Sequence, residues 1–136
     1  MALSATELPI TRSTLAALLA VALLAPTAAQ AAQATLQIEL GTAGDFERRV
    51  MNYECNDGSA VTATYINAAP NFLAILPVID EPEPLVFTSV VAGSGVRYVS
   101  GIWMWWTKGV DATLHDVTLG QDAEPVLTCS EVNNTP

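Results

Sequence analysis

Apolar and polar residues alternate one for one along most of this chain beyond residue 34. In ATLQIEL (34–40), Leu36, Ile38 and Leu40 are separated by polar residues. In RVMNYEC (49–55), Val50, Asn52 and Glu54 fall on one side and Met51, Tyr53 and Cys55 on the other. In AVTATYIN (60–67), Val61, Ala63 and Tyr65 oppose Thr62, Thr64 and Ile66. A period of two is the strand period, because successive side chains leave a pleated strand on opposite faces. The remaining runs are FLAILPVI, LVFTSVV, VRYVS, IWMWWTK, ATLHDV and PVLTCSE. They are rich in the β-branched and aromatic residues that strands favour. Pro77 lacks an N–H, so it marks an edge, a bulge or the end of its strand. Beyond residue 34 there is no sustained 3.6-residue period and no internal repeat.

The punctuation agrees with strands. Asp57-Gly58 in NDGS (56–59) is a strong hairpin signal and pairs the strands on either side. Ser100-Gly101 and TKGVD (107–111) predict two further tight turns, and DEPEP (80–84) an acidic, solvated connector. Some eight short antiparallel strands predict an all-β sandwich or small barrel. The barrel is favoured, since closure removes exposed strand edges.

Residues 1–31 stand outside this pattern. STLAALLAVALLAP has the length of a signal-peptide apolar region and is short for a membrane span. Ala29-Gln30-Ala31 and Ala32-Gln33-Ala34 are small-residue cleavage sites. The expectation is a signal peptide over 1–31 and one domain over 32–136. The early Glu7 offsets Arg12, which is unusual for such a leader. Residues 1–31 contain no cysteine to carry a lipid, so the expected location is the periplasm, with no membrane anchor. The two cysteines, Cys55 and Cys129, suit that compartment as a disulfide. Counted with 34–40 as the first strand, the bridge would tie the second strand to the last.

Charge narrows the partners. The chain has 5 Lys+Arg against 14 Asp+Glu, a formal net charge of -9. That disfavours nucleic acid and anionic membranes, which reward clustered cations. It suits a cationic partner, whose approach the field accelerates. Enzyme readings are weak. VAGSGV lacks the glycines two before and two after the serine that a nucleophile elbow needs, since Ala92 and Val96 stand there. His115 is the only histidine. Asp111, Asp116, Asp122 and Glu124 do not follow the spacing of a calcium loop. No enzyme activity, cofactor or metal is expected.

One stretch keeps a chemical signal. Trp103, Trp105 and Trp106 precede Lys108, one of four basic residues beyond residue 31, the others being Arg48, Arg49 and Arg97. A hairpin turning at Ser100-Gly101 has partner numbers summing to about 201. Ser94 then falls opposite Thr107, beside Lys108. A hydroxyl and an ammonium would meet at the open end of the hairpin.

SGVRYVSGIWMWWTKGVDATL (94–114) resembles the signature of the periplasmic and membrane-bound inhibitors of C-type lysozyme. The matching residues are Ser94, Gly95, Tyr98, Trp106, Lys108, Gly109 and Ala112. YECNDG (53–58) and the late Cys129 also look like that family. Gly93 departs from it, and a lipidated cysteine of the membrane-bound type is missing. The resemblance implies an eight-stranded barrel that inhibits lysozyme, with Ser94 and Lys108 entering the enzyme's cleft against its two catalytic carboxylates. The partner implied is a C-type lysozyme, a cationic protein. The contact set implied is Ser94, Gly95, Tyr98, Thr107, Lys108 and Gly109, on a monomer or weak dimer. The competing expectation is a periplasmic barrel that binds a small apolar ligand or an envelope component, with the tryptophans lining its cavity.

Overall fold

The computed structural model describes residues 34–42 and 44–132, so the expected signal peptide lies outside the described residues. The chain divides into Met1–Gln37 and Ile38–Pro136. Of the first unit, residues 34–37 are exposed and form no strand. The second holds every regular element among the described residues.

Its strands are β1 (Glu47–Cys55), β2 (Ala60–Ala68), β3 (Asn71–Leu76), β4 (Leu85–Val90), β5 (Val96–Ser100), β6 (Trp103–Lys108), β7 (Asp111–Asp116) and β8 (Leu127–Glu131). A short 3-10 turn, Val117–Leu119, follows β7. Each strand pairs antiparallel with its neighbour in sequence, and β8 returns to β1 to close the barrel. Period two decides which side chains enter. Tyr53, Tyr65, Phe87, Tyr98, Trp105 and Leu114 point inward and are buried. Burying an apolar side chain of this size contributes about 1.5–3 kcal/mol.

The aromatic core is also satisfied in its polar atoms. The Trp105 indole N–H donates to the Tyr65 hydroxyl at 2.8 Å, and the Tyr65 and Tyr53 hydroxyls are 2.9 Å apart. Tyr53 meets the Trp105 ring edge-on, with centroids 5.4 Å apart. An unpaired hydroxyl here would cost about 1–3 kcal/mol, so this triad fixes one arrangement of the core. Burial raises the pKa of all three tyrosines, Tyr53, Tyr65 and Tyr98, and keeps their hydroxyls neutral.

The sequence expectation differs in three places. The alternating run 34–40 is not a strand, and Leu36 and Ile38 are exposed. The run finds no strand to join: β1 pairs with β2 over Glu47–Glu54 and with β8 over Tyr53–Cys55, and the eight strands close on one another without it. Consequently Cys55 and Cys129 bridge the first strand to the last, directly opposite each other at the closing seam. The β5–β6 hairpin pairs Ser100 with Trp103 and Val96 with Thr107, so partner numbers sum to 203. The turn is Gly101-Ile102, with Gly101 at φ 56. A two-residue hairpin of type II′ wants glycine at its first central position, so Gly101 sets the turn one residue later than Ser100-Gly101 does.

An eight-stranded meander has two ends. One carries the start of β1, the β2–β3 and β4–β5 connections, the Gly109-Val110 turn and the end of β8. The other carries the β1–β2 turn, residues 77–84, Gly101-Ile102 and residues 117–126. Arg48, Arg49, Arg97 and Lys108 all lie at or near the first end, among Glu47, Asp111 and Glu131, whereas the loops of the second hold Asp57, Asp80, Glu81, Glu83, Asp122 and Glu124 and no Lys or Arg.

Candidate functional site

The β4–β5 loop and the β6–β7 turn meet at the first end. Gly109 (φ 58) takes the first central position of the turn between Lys108 and Asp111, which are register partners. Lys108 is thus the last residue of β6. Being even-numbered like Met104 and Trp106, it lies on the outer wall and is exposed. Across from it, Gly95 (φ 62) lets the loop press flat onto β6. A Cβ there would collide with the Thr107 carbonyl oxygen and come within 2.7 Å of Lys108 Cγ. Only glycine allows this close approach. Ser94, one residue earlier, is held against the same strand and exposed.

Trp106 is the fastener. Its indole N–H donates to the Ser94 carbonyl at 2.9 Å. Its ring lies 3.7 Å from Lys108 Nζ and 4.1 Å from Arg97 Cζ. Cation–π contacts of this length contribute about 0.5–1 kcal/mol at exposed sites. One side chain therefore sets both Ser94 and Lys108. Behind Trp106, His115 is 6.4 Å away ring to ring and shares a 2.9 Å hydrogen bond with Thr113 Oγ1. Burial, with the Arg97 charge added, lowers the His115 pKa and favours its neutral form.

The structure thus brings Ser94, Gly95, Lys108 and Gly109 together on one rim. Thr107 belongs to the same segment but faces the barrel mouth and donates to the Val96 carbonyl at 3.4 Å. Tyr98 is 6% exposed, forms part of the wall of the barrel mouth, and packs against Tyr65, with centroids 5.6 Å apart. It supports the rim from below. Sequence reasoning gave Trp106 only a place in the motif and gave Arg97 no role. The available signal was period two, which puts Trp106 on the opposite face from the core residue Trp105.

Two cavities open at the ends. The mouth beside the rim encloses about 620 Å³ between Arg49, Tyr65, Asn67, Ser89, Tyr98 and Thr107. The opposite end holds a more apolar cavity of about 360 Å³ walled by Val61, Leu76, Val78, Trp105 and Leu127.

A chain of this design has relatives. A model of the family described as membrane-bound lysozyme-inhibitor of c-type lysozyme matches residues 53–122, which include the whole rim. A Pseudomonas aeruginosa protein named membrane-bound lysozyme inhibitor of C-type lysozyme is 37% identical over 100 residues, covering 71% of this chain and 78% of that protein. A Cupriavidus necator protein of the same name is 34% identical over 79 residues, covering 58% of this chain and 62% of its own. Among solved structures, that of Pseudomonas aeruginosa MliC in complex with hen egg white lysozyme matches with a TM-score of 0.61 and 34% identity, over 74% of this chain and 100% of that one. With its barrel, its disulfide and this match over half its length, the chain belongs to the family of membrane-bound lysozyme inhibitors of C-type lysozyme.

Proposed function

We propose that this protein is a non-enzymatic inhibitor of C-type lysozyme that inserts Ser94 and Lys108 into the enzyme's cleft. One observation carries the reading. In a chain of net charge -9, Lys108 stands exposed at a barrel end with no carboxylate within ion-pair distance among the described residues. Beside it is a hydroxyl held on the same rim by a glycine and a tryptophan. A retaining glycosidase presents two carboxylates about 5–5.5 Å apart. An ammonium has three donors and a hydroxyl has one. Together they satisfy both carboxylates, block the substrate and stop proton transfer.

The names of the relatives, and the lysozyme in the solved complex, support the target. The charge layout supports the approach. The overall negative field attracts a cationic enzyme, while the cations near the rim turn that end toward the acidic cleft. We place the protein in the cell envelope, on the periplasmic side, from the signal-like leader.

The test is lysis of a peptidoglycan suspension by a C-type lysozyme with added residues 32–136. Lysis should stop near one equivalent of inhibitor. Ser94→Ala should weaken inhibition by about 1.5–3 kcal/mol, the contribution of a hydrogen bond to a charged group. Uninhibited lysis would leave the apolar cavity behind Trp105 as the better guide to function.

A further inference from the structure

Arg97 is a basic residue beside Trp106 and Lys108 that the proposed site does not use. It has no carboxylate partner among the described residues, where the recorded ion pair is Arg49 with Glu47 at 3.7 Å. Asp111 faces Lys108 across the β6–β7 register, yet its carboxylate accepts from Ser130 Oγ at 2.8 Å. Arg97 lies directly opposite Trp106 in the β5–β6 register, and its guanidinium stacks on that ring together with the Lys108 ammonium. The Arg97 Nε is buried without a hydrogen-bond partner. Two cations thus share one indole and lack an anion, in a chain rich in carboxylates. Their mutual repulsion goes uncompensated in the free protein and would be relieved by carboxylates brought by a partner.

We infer that Arg97 is a second partner-binding cation, which takes a carboxylate of the bound lysozyme while Lys108 takes the catalytic pair. The inference rests on the proposed function. With Nε buried, the two terminal Nη groups are the donors left for a partner, and that end of the fork matches a carboxylate two bonds at a time. Trp106 is then the positioning residue for the whole unit, because it sets Ser94, Arg97 and Lys108 at once.

The experiment is lysozyme affinity against salt concentration for wild type, Arg97→Gln and Arg97→Lys, with melting curves alongside. Arg97→Gln should raise Kd about tenfold or more at low salt and flatten its salt dependence, as loss of an ion pair requires. Arg97→Lys keeps the charge but loses the fork, so it should retain the salt dependence with an intermediate Kd. A weakened Arg97→Gln with the wild-type salt dependence would show a structural residue and overturn the inference. An unchanged Kd in Arg97→Gln, with binding lost in Lys108→Ala, overturns it while leaving the inhibitor reading intact. Absence of binding by wild type removes both.

Discussion

Lys108→Ala should abolish useful inhibition while leaving the protein folded. The expected loss is about 2–5 kcal/mol of binding, the cost of removing one partner from a buried charge pair. That corresponds to a Kd raised from about thirtyfold to several thousandfold. In the free protein Lys108 is exposed and ends its strand, so melting should stay near wild type. The contrast between lost binding and kept stability is the diagnostic part. A variant that binds within a few-fold of wild type would remove Lys108 from the contact, whatever the fate of the family assignment.

Breaking the disulfide should act in the opposite sense, on stability first. Cys55 and Cys129 are 74 residues apart, and a loop of that size implies about 4 kcal/mol by the chain-entropy model. Small domains are stable by about 5–15 kcal/mol in total, so the share is large. The location adds to the effect. The bridge sits on the seam where β8 closes the barrel, and that seam runs only from Tyr53 to Cys55 on the β1 side. Cys129→Ser, or reduction, should therefore lower the unfolding free energy by about 2–5 kcal/mol in urea titration. The Gly109 turn touches the end of β8 through the Val110 carbonyl and Asp111, but Ser94 and Lys108 are held by Trp106 and the close approach of Gly95, not by the bridge. At temperatures where the variant stays folded, lysozyme inhibition should persist. A urea midpoint equal to wild type would contradict the argument.

Much of this barrel is legible in the chain because strand burial follows a period of two. Tyr53, Val61, Tyr65 and Trp105 are buried where alternation puts them inward. Local alternation does not say whether a strand has a partner. Residues 34–40 alternate as well as any stretch, yet they pair with no strand and stay exposed. Turn position is similarly underdetermined. Ser-Gly-Ile allows either Ser100-Gly101 or Gly101-Ile102 at the centre, and the choice moves every cross-strand partner by two. In the earlier register Arg97 would face Met104; in the register adopted it faces Trp106. Ser94 and Lys108 stay adjacent either way, because the loop and the turn flank the same strand end. The Arg97–Trp106–Lys108 stack depends on the true register and so was hidden. Tyr98 belongs to the motif, but its odd number puts it in the core beside Tyr65, where it serves the fold.

If Ser94 and Lys108 occupy the lysozyme cleft, a ligand already bound there must compete with them. A soluble oligosaccharide fragment of the substrate, bound in that cleft, tests this most directly. Affinity of residues 32–136 for lysozyme should be measured by titration at rising oligosaccharide concentration. The apparent Kd should rise in proportion to the saccharide once the cleft is filled, as for two ligands that exclude each other. A Kd independent of saccharide would mean that the inhibitor binds outside the cleft, and would contradict the account.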